Sequence, residues 1–139
     1  MPKIIVDTSV IIDHLRGTSS DFETLENLRL DEEVDMLIPH MVITELFAGQ
    51  AAQKRVVQTA YNELLKGTEI IGLTIDSAKK AGELMRCFPQ VPDPFDFLIA
   101  AIALEHDAYI ATHNQKHFKQ LPKIKLFDLL ISDLFYSFK

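Results

Sequence analysis

The chain has 139 residues, 47% hydrophobic and 24% charged, which suits one globular domain with a core of its own. Fourteen basic residues against 20 acidic ones leave a net charge of −6, which argues against a protein that coats nucleic acid through a general basic surface. The single cysteine, Cys87, excludes an intrachain disulfide, and Asp7 and Asp13 break the apolar start that a signal peptide needs. The longest apolar run, 97–104, is far short of a membrane span, so a soluble, cytoplasmic protein with no membrane partner is expected.

The pattern then alternates strand and helix. Residues 3–7 are β-branched and apolar and turn polar at once, as in a buried parallel strand. A helix over 8–16 stops at Gly17. Ser19 or Ser20 caps the next helix, where Phe22, Leu25 and Leu28 recur every third residue. Residues 34–38 form a second strand, and Pro39 starts a helix that carries Glu45 and ends near Gly49. A further helix is expected over 51–66, with Val56, Val57, Ala60, Tyr61, Leu64 and Leu65 on one side.

Residues 69–73 read as a third strand, and Asp76 or Ser77 begins a helix carrying Ala78, Ala81, Leu84 and Met85. Asp93 and Pro94 open the most apolar helix, to about Glu105. A fourth strand covers 108–111, and 125–127 is a candidate fifth. Such alternation implies an α/β sandwich around a mostly parallel sheet, a single domain over 1–139. The apolar tail 128–139 is expected to pack on the core or on a partner, and the helix pair over 39–66 is a candidate partner surface.

Three carboxylates stand in apolar company: Asp7 at the end of the first strand, Glu45 among Val42, Ile43, Leu46 and Phe47, and Asp96 between Phe95 and Phe97. A buried charge is costly unless paired or bound to a metal. Each also has a plainer reading. Asp7 is placed to cap the helix that Thr8 opens. Asp96 sits in a first helical turn, where the dipole favours an anion. Glu45 is free to turn to solvent. Taken together they suit Mg²⁺ or Mn²⁺, which take oxygen ligands and keep several waters. No His/Cys set has zinc spacing. A basic stretch, His113, Lys116, His117, Lys119, Lys123 and Lys125, is either a substrate contact or an ordinary solvated surface.

With those residues in place, the chain resembles PIN-domain ribonucleases of the VapC toxin type from Ile4 to Phe118. The likeness rests on Val6-Asp7-Thr8-Ser9, Ile43-Thr44-Glu45-Leu46, Asp96-Phe97-Leu98-Ile99-Ala100-Ala101 and Ala111-Thr112-His113-Asn114 with Phe118, taken as an ordered set. It implies a three-layer PIN-like sandwich, with four to five strands and helices on both faces. It implies Asp7, Glu45 and Asp96 as acidic ligands of Mg²⁺ or Mn²⁺, hydrolysis of phosphodiester bonds in RNA, a small antitoxin partner and a homodimer. Family members often carry a further acid at or just beyond Asn114, and the stretch 112–118 has none. Asn114 is the expected fourth corner, with Asp93 as a second candidate whose plainer reading is a helix cap. Thr8, Ser9 and Thr112 are expected to hold a phosphate or a carboxylate. His113, Lys116 and His117 are expected near the RNA backbone, with His117 also a candidate general acid.

Two rivals remain. An aspartyl-phosphate phosphotransferase would use Asp7 as nucleophile, but it wants a second acid two residues on, where Ser9 stands. A catalytically degenerate PIN-like module would bind RNA or protein without cutting, which the missing fourth acid and the negative net charge allow.

Overall fold

The structure, a computed structural model, describes residues 1–129. Five strands form one sheet: β1 (Lys3–Val6), β2 (Asp35–Pro39), β3 (Glu69–Ile71), β4 (Tyr109–Ala111) and β5 (Lys125–Leu126). Their order is β3-β2-β1-β4-β5, and every pairing is parallel. Ile5 in the central strand stands beside Leu37 on one side and Ile110 on the other. The apolar run of β1 is explained by this place, since helices cover both faces of the sheet and Ile4, Ile5 and Val6 are buried.

The helices are α1 (Thr8–Leu15), α2 (Asp21–Leu30), α3 (His40–Ala48), α4 (Arg55–Leu65), α5 (Ile75–Cys87), α6 (Pro94–His106) and α7 (Gln115–Lys119). From β1 the chain steps outward to β2 and β3, then crosses back past β1 to β4 and β5. With right-handed crossovers, that reversal puts α1 to α4 over one face and α5 to α7 over the other. The packing agrees: α1 lies on α2, and α6 lies on α5, α7, β1 and β4. The expected sandwich is therefore present, with a wholly parallel sheet. Its core centres on Ile4, Ile5, Ile38, Ile99, Ile102, Ile110 and Phe118, all fully buried. Gly17, with φ +72°, turns the chain out of α1 in the left-handed region that glycine favours.

Three expectations need correction. The helix expected over 51–66 is broken: a 3-10 turn covers Gln50–Gln53, Lys54 is extended, and α4 starts only at Arg55. Gln58 Nε2 donates to the carbonyl of Ala52 at 2.7 Å, fixing the break. Of the apolar side expected for that helix only Tyr61 is buried, while Val56 is 72% exposed. The third correction concerns α5, which is capped by Thr74 rather than by Asp76 or Ser77. Thr74 and Ser77 form a reciprocal capping box, each side chain serving the other's backbone N–H. Of the apolar tail, only Asp128 and Leu129 lie within the described residues, and Leu129 is buried. The packing expected for 130–139 lies outside them.

Candidate active site

The strand order reverses between β1 and β4, and in open parallel sheets such a switch point opens a crevice at the carboxyl ends of the strands. Val6 pairs with Ala111, and the Asp7 N–H donates to the Ala111 carbonyl at 3.0 Å. The next residues on the two strands, Asp7 and Thr112, therefore meet side by side. Thr112 Oγ1 donates to Asp7 Oδ2 at 2.7 Å, and Ser9 Oγ donates to the same oxygen at 3.1 Å. Asp7 stands at the N-cap position of α1, yet its side chain makes no cap bond there. It is 3% exposed, and burial pushes its carboxyl above the usual range despite the bonds from Thr112, Thr8 and Ser9.

Asp93 does cap α6, accepting from the Phe95 N–H at 3.0 Å. Asp96, one turn on, is left free of that task and is 4% exposed. Its Oδ2 meets His117 Nδ1 at 2.8 Å. Burial raises Asp96 to about 6, opposed by the His117 bond and reinforced by the charges of Asp7 and Asp93. Glu45, half-buried on α3, accepts from Thr8 Oγ1 at 2.9 Å. Burial raises it to about 7, with Asp7, Asp93 and Asp96 each adding repulsion. The four acids line one cleft of about 300 Å³ with Thr8, Ser9 and Asn114. Two larger clefts, each about 540 Å³, gather no comparable set of acids.

The carboxylates and hydroxyls of this cleft are oxygen donors, which fits a hard divalent cation better than zinc, and His113 on its wall spends both ring nitrogens on Asp13 and Asp21. Among the described residues, Asp7 and Glu45 have no Lys, Arg or His within ion-pair distance, and the charges that act on them are those of other acids, Asp93 on Asp7 and Asp7, Asp93 and Asp96 on Glu45. An added cation would relieve both the desolvation and the repulsion. Among the described residues, no three His, Cys, Asp or Glu side chains stand gathered as a ready-made ligand cage. Mg²⁺ and Mn²⁺ keep several waters and need only one or two carboxylates from the protein, so the lack of such a cage does not conflict with them.

The remaining expected residues divide. Asn114 is exposed on the cleft wall, and its backbone N–H donates to Thr112 Oγ1 at 2.9 Å. Lys116 is exposed on α7 and does not line the cleft. His113 does not present a free ring to solvent. Its Nδ1 meets Asp13 Oδ2 at 2.5 Å and its Nε2 meets Asp21 Oδ2 at 2.7 Å. Burial works against its charge, but the two carboxylates outweigh that and hold the imidazolium above its ordinary range. The basic stretch is thus no single surface, because His117 is drawn to Asp96 and Lys125 to Asp107. Sequence reasoning gave Asp13 and Asp21 no role. Their spacing from His113, 100 and 92 residues, left no local signal.

Similarity to known proteins agrees with this architecture. The PIN domain family model matches residues 4–124. Ribonuclease VapC19 of Mycobacterium tuberculosis is 29% identical over 124 residues, covering 87% of this chain and 96% of that protein. Ribonuclease VapC10 of the same organism is 31% identical over 126 residues, covering 88% and 90%. Among solved structures, VapBC2 from Rickettsia felis, bound to a DNA fragment from its promoter, superposes with a TM-score of 0.78 at 24% identity, covering 90% of this chain and 97% of that one. The chain belongs to the PIN-domain family.

Proposed function

We propose that this protein is a divalent-metal-dependent endoribonuclease, the toxin of a toxin–antitoxin pair, acting on single-stranded RNA or exposed RNA loops. The observation that carries the reading is the group of carboxylates gathered at the switch point of the sheet, Asp7 and Asp96 nearly inaccessible and Glu45 beside them. Relatives named as VapC ribonucleases match it over most of their length.

Asp7 and Asp96 would hold Mg²⁺ or Mn²⁺ directly, and Glu45 directly or through water. When bound, such an ion lowers the pKa of a water and neutralises charge on a phosphate. Thr112 and Ser9 fix one oxygen of Asp7, so that carboxylate is oriented before any ligand arrives. His117 does the same for Asp96, and Thr8 for Glu45. Asp93 adds charge to the cleft while capping α6. Asn114 offers an amide at the cleft wall in the place expected for a fourth acid, which favours one firmly held ion over two.

D7N and D96N should each lower Mn²⁺-dependent cleavage of a single-stranded RNA by at least about a hundredfold. Chelation should abolish it, and parental rates in both variants would sink the assignment. A non-catalytic binding module would instead show RNA binding with neither Mn²⁺-dependent stabilisation nor cleavage. For the antitoxin, the described surface best suited is the apolar groove of about 540 Å³ that Ile12, Leu15, Leu46, Val56, Val57 and Tyr61 line, because it opens beside Glu45. For the homodimer, the exposed Leu73 and Ile75 beside the β3 edge of the sheet are the best candidates, and a monomeric mass in solution would count against it.

A further inference from the structure

The geometry points to Arg16 as a phosphate anchor of the acidic cleft, holding an RNA phosphate next to the one that is cut. This assignment rests on the nuclease reading above. The cleft is lined by Asp7, Asp13, Glu45, Asp93 and Asp96. Asp13 is already paired with His113, but a single divalent ion does not neutralise the four acids that remain, so an approaching RNA needs a cation from the protein. Arg16 is the one Lys or Arg on the cleft wall. His113, the other basic group there, already spends both ring nitrogens on Asp13 and Asp21.

Arg16 is also unspent. It is exposed at the end of α1, and it enters no ion pair among the described residues. Its natural partner would be Asp13, three residues earlier on the same helix. That carboxylate is turned to His113 instead. The Asp13–His113–Asp21 bridge therefore has an effect beyond tying α1 and α2 to the turn after β4: it leaves the guanidinium of Arg16 without a carboxylate. A planar guanidinium at the rim of a cleft matches a phosphate in a two-pronged contact that an ammonium makes less well. Arg16 also borders the apolar groove, so a protein segment lying there is the competing occupant.

The test measures three quantities on the full chain and on R16A and R16K. They are steady-state cleavage of a single-stranded RNA with Mn²⁺, binding of that RNA with Ca²⁺ replacing Mn²⁺ across a salt series, and the Mn²⁺ concentration dependence of thermal stability. R16A should raise KM and weaken RNA binding by about tenfold while kcat stays within about twofold. The slope of log K against log salt should become shallower by about 0.7, the loss of one phosphate contact to a single strand. R16K should restore the salt slope but only part of the affinity, and Mn²⁺ stabilisation should be the same in all three proteins. Unchanged KM and salt slope in R16A, with normal cleavage by the parent, would overturn the anchor and leave the nuclease reading standing. A fall in kcat together with altered Mn²⁺ stabilisation would overturn it too, by making Arg16 a counter-ion of the acids. A parent that neither binds nor cuts RNA would remove the nuclease reading, and the anchor with it.

Discussion

Asp7 and Asp93 occupy equivalent places, each the last extended residue before a helix, and the structure uses them differently. Asp93 accepts from the backbone of α6, whereas the carboxylate of Asp7 is turned across to Thr112 on the neighbouring strand. The difference is not visible in either local sequence, because it depends on β4 lying beside β1. That is why capping and ligation were equally open for Asp7 until the register was known. The same holds for His113, whose two carboxylate partners lie on α1 and α2. A testable contrast follows. D93A removes a cap and should cost about 1 kcal/mol of stability by denaturant titration, with weaker Mn²⁺ stabilisation because one acid leaves the cleft. T74A removes a cap on the far element α5 and should cost a similar amount. It should leave Mn²⁺ stabilisation and cleavage as in the parent. If both variants shift metal binding equally, Asp93 has no part in the site.

At the scale of elements, the sequence was most legible where burial is complete. The run Ile4-Ile5-Val6 and the middle of the apolar helix α6, from Ile99 to Ala103, are dictated by burial, and their type and place are as expected. The stretch 50–66 was least legible. Its apolar spacing suggests one helix packed on a core, yet the chain breaks at Lys54 and leaves Val56 open to solvent. An apolar stripe reports a surface that needs covering, and periodicity does not say whether this chain or another covers it. The groove between α1, α3 and α4 therefore makes a prediction about partners. V57D places a charge on its wall, on α4, which contributes no residue to the acidic cleft. It should abolish complex formation with the product of a short reading frame immediately upstream, measured by co-purification, while RNA cleavage by the isolated protein stays within about twofold. Intact binding by V57D would move the partner surface elsewhere.

For the whole molecule, the proposed metal site would couple metal binding to stability through the acids of the cleft. Glu45 and Asp96 are raised to about 7 and about 6 in the folded protein, above ordinary values of 4.5 and 3.8. A carboxyl raised on folding binds its proton more tightly in the native state. Its stabilising contribution is complete below the unfolded value and is lost as pH rises through the folded one. His113, also raised, loses its contribution in the same direction above its ordinary 6.5. The chelated protein should therefore melt at a lower temperature at pH 8 than at pH 5. Mn²⁺ competes with those protons, so it should stabilise strongly at pH 8, where the carboxylates are bare, and weakly at pH 5, where Glu45 and Asp96 hold protons. E45Q removes one of the titrating groups without removing its place beside Thr8. It should flatten the melting profile of the chelated protein between pH 5 and pH 7.5 and shrink the Mn²⁺ effect at pH 8. A chelated protein whose melting temperature ignores pH across that window, with equal Mn²⁺ shifts at both ends, would mean that the acids of the cleft are compensated by something other than a metal.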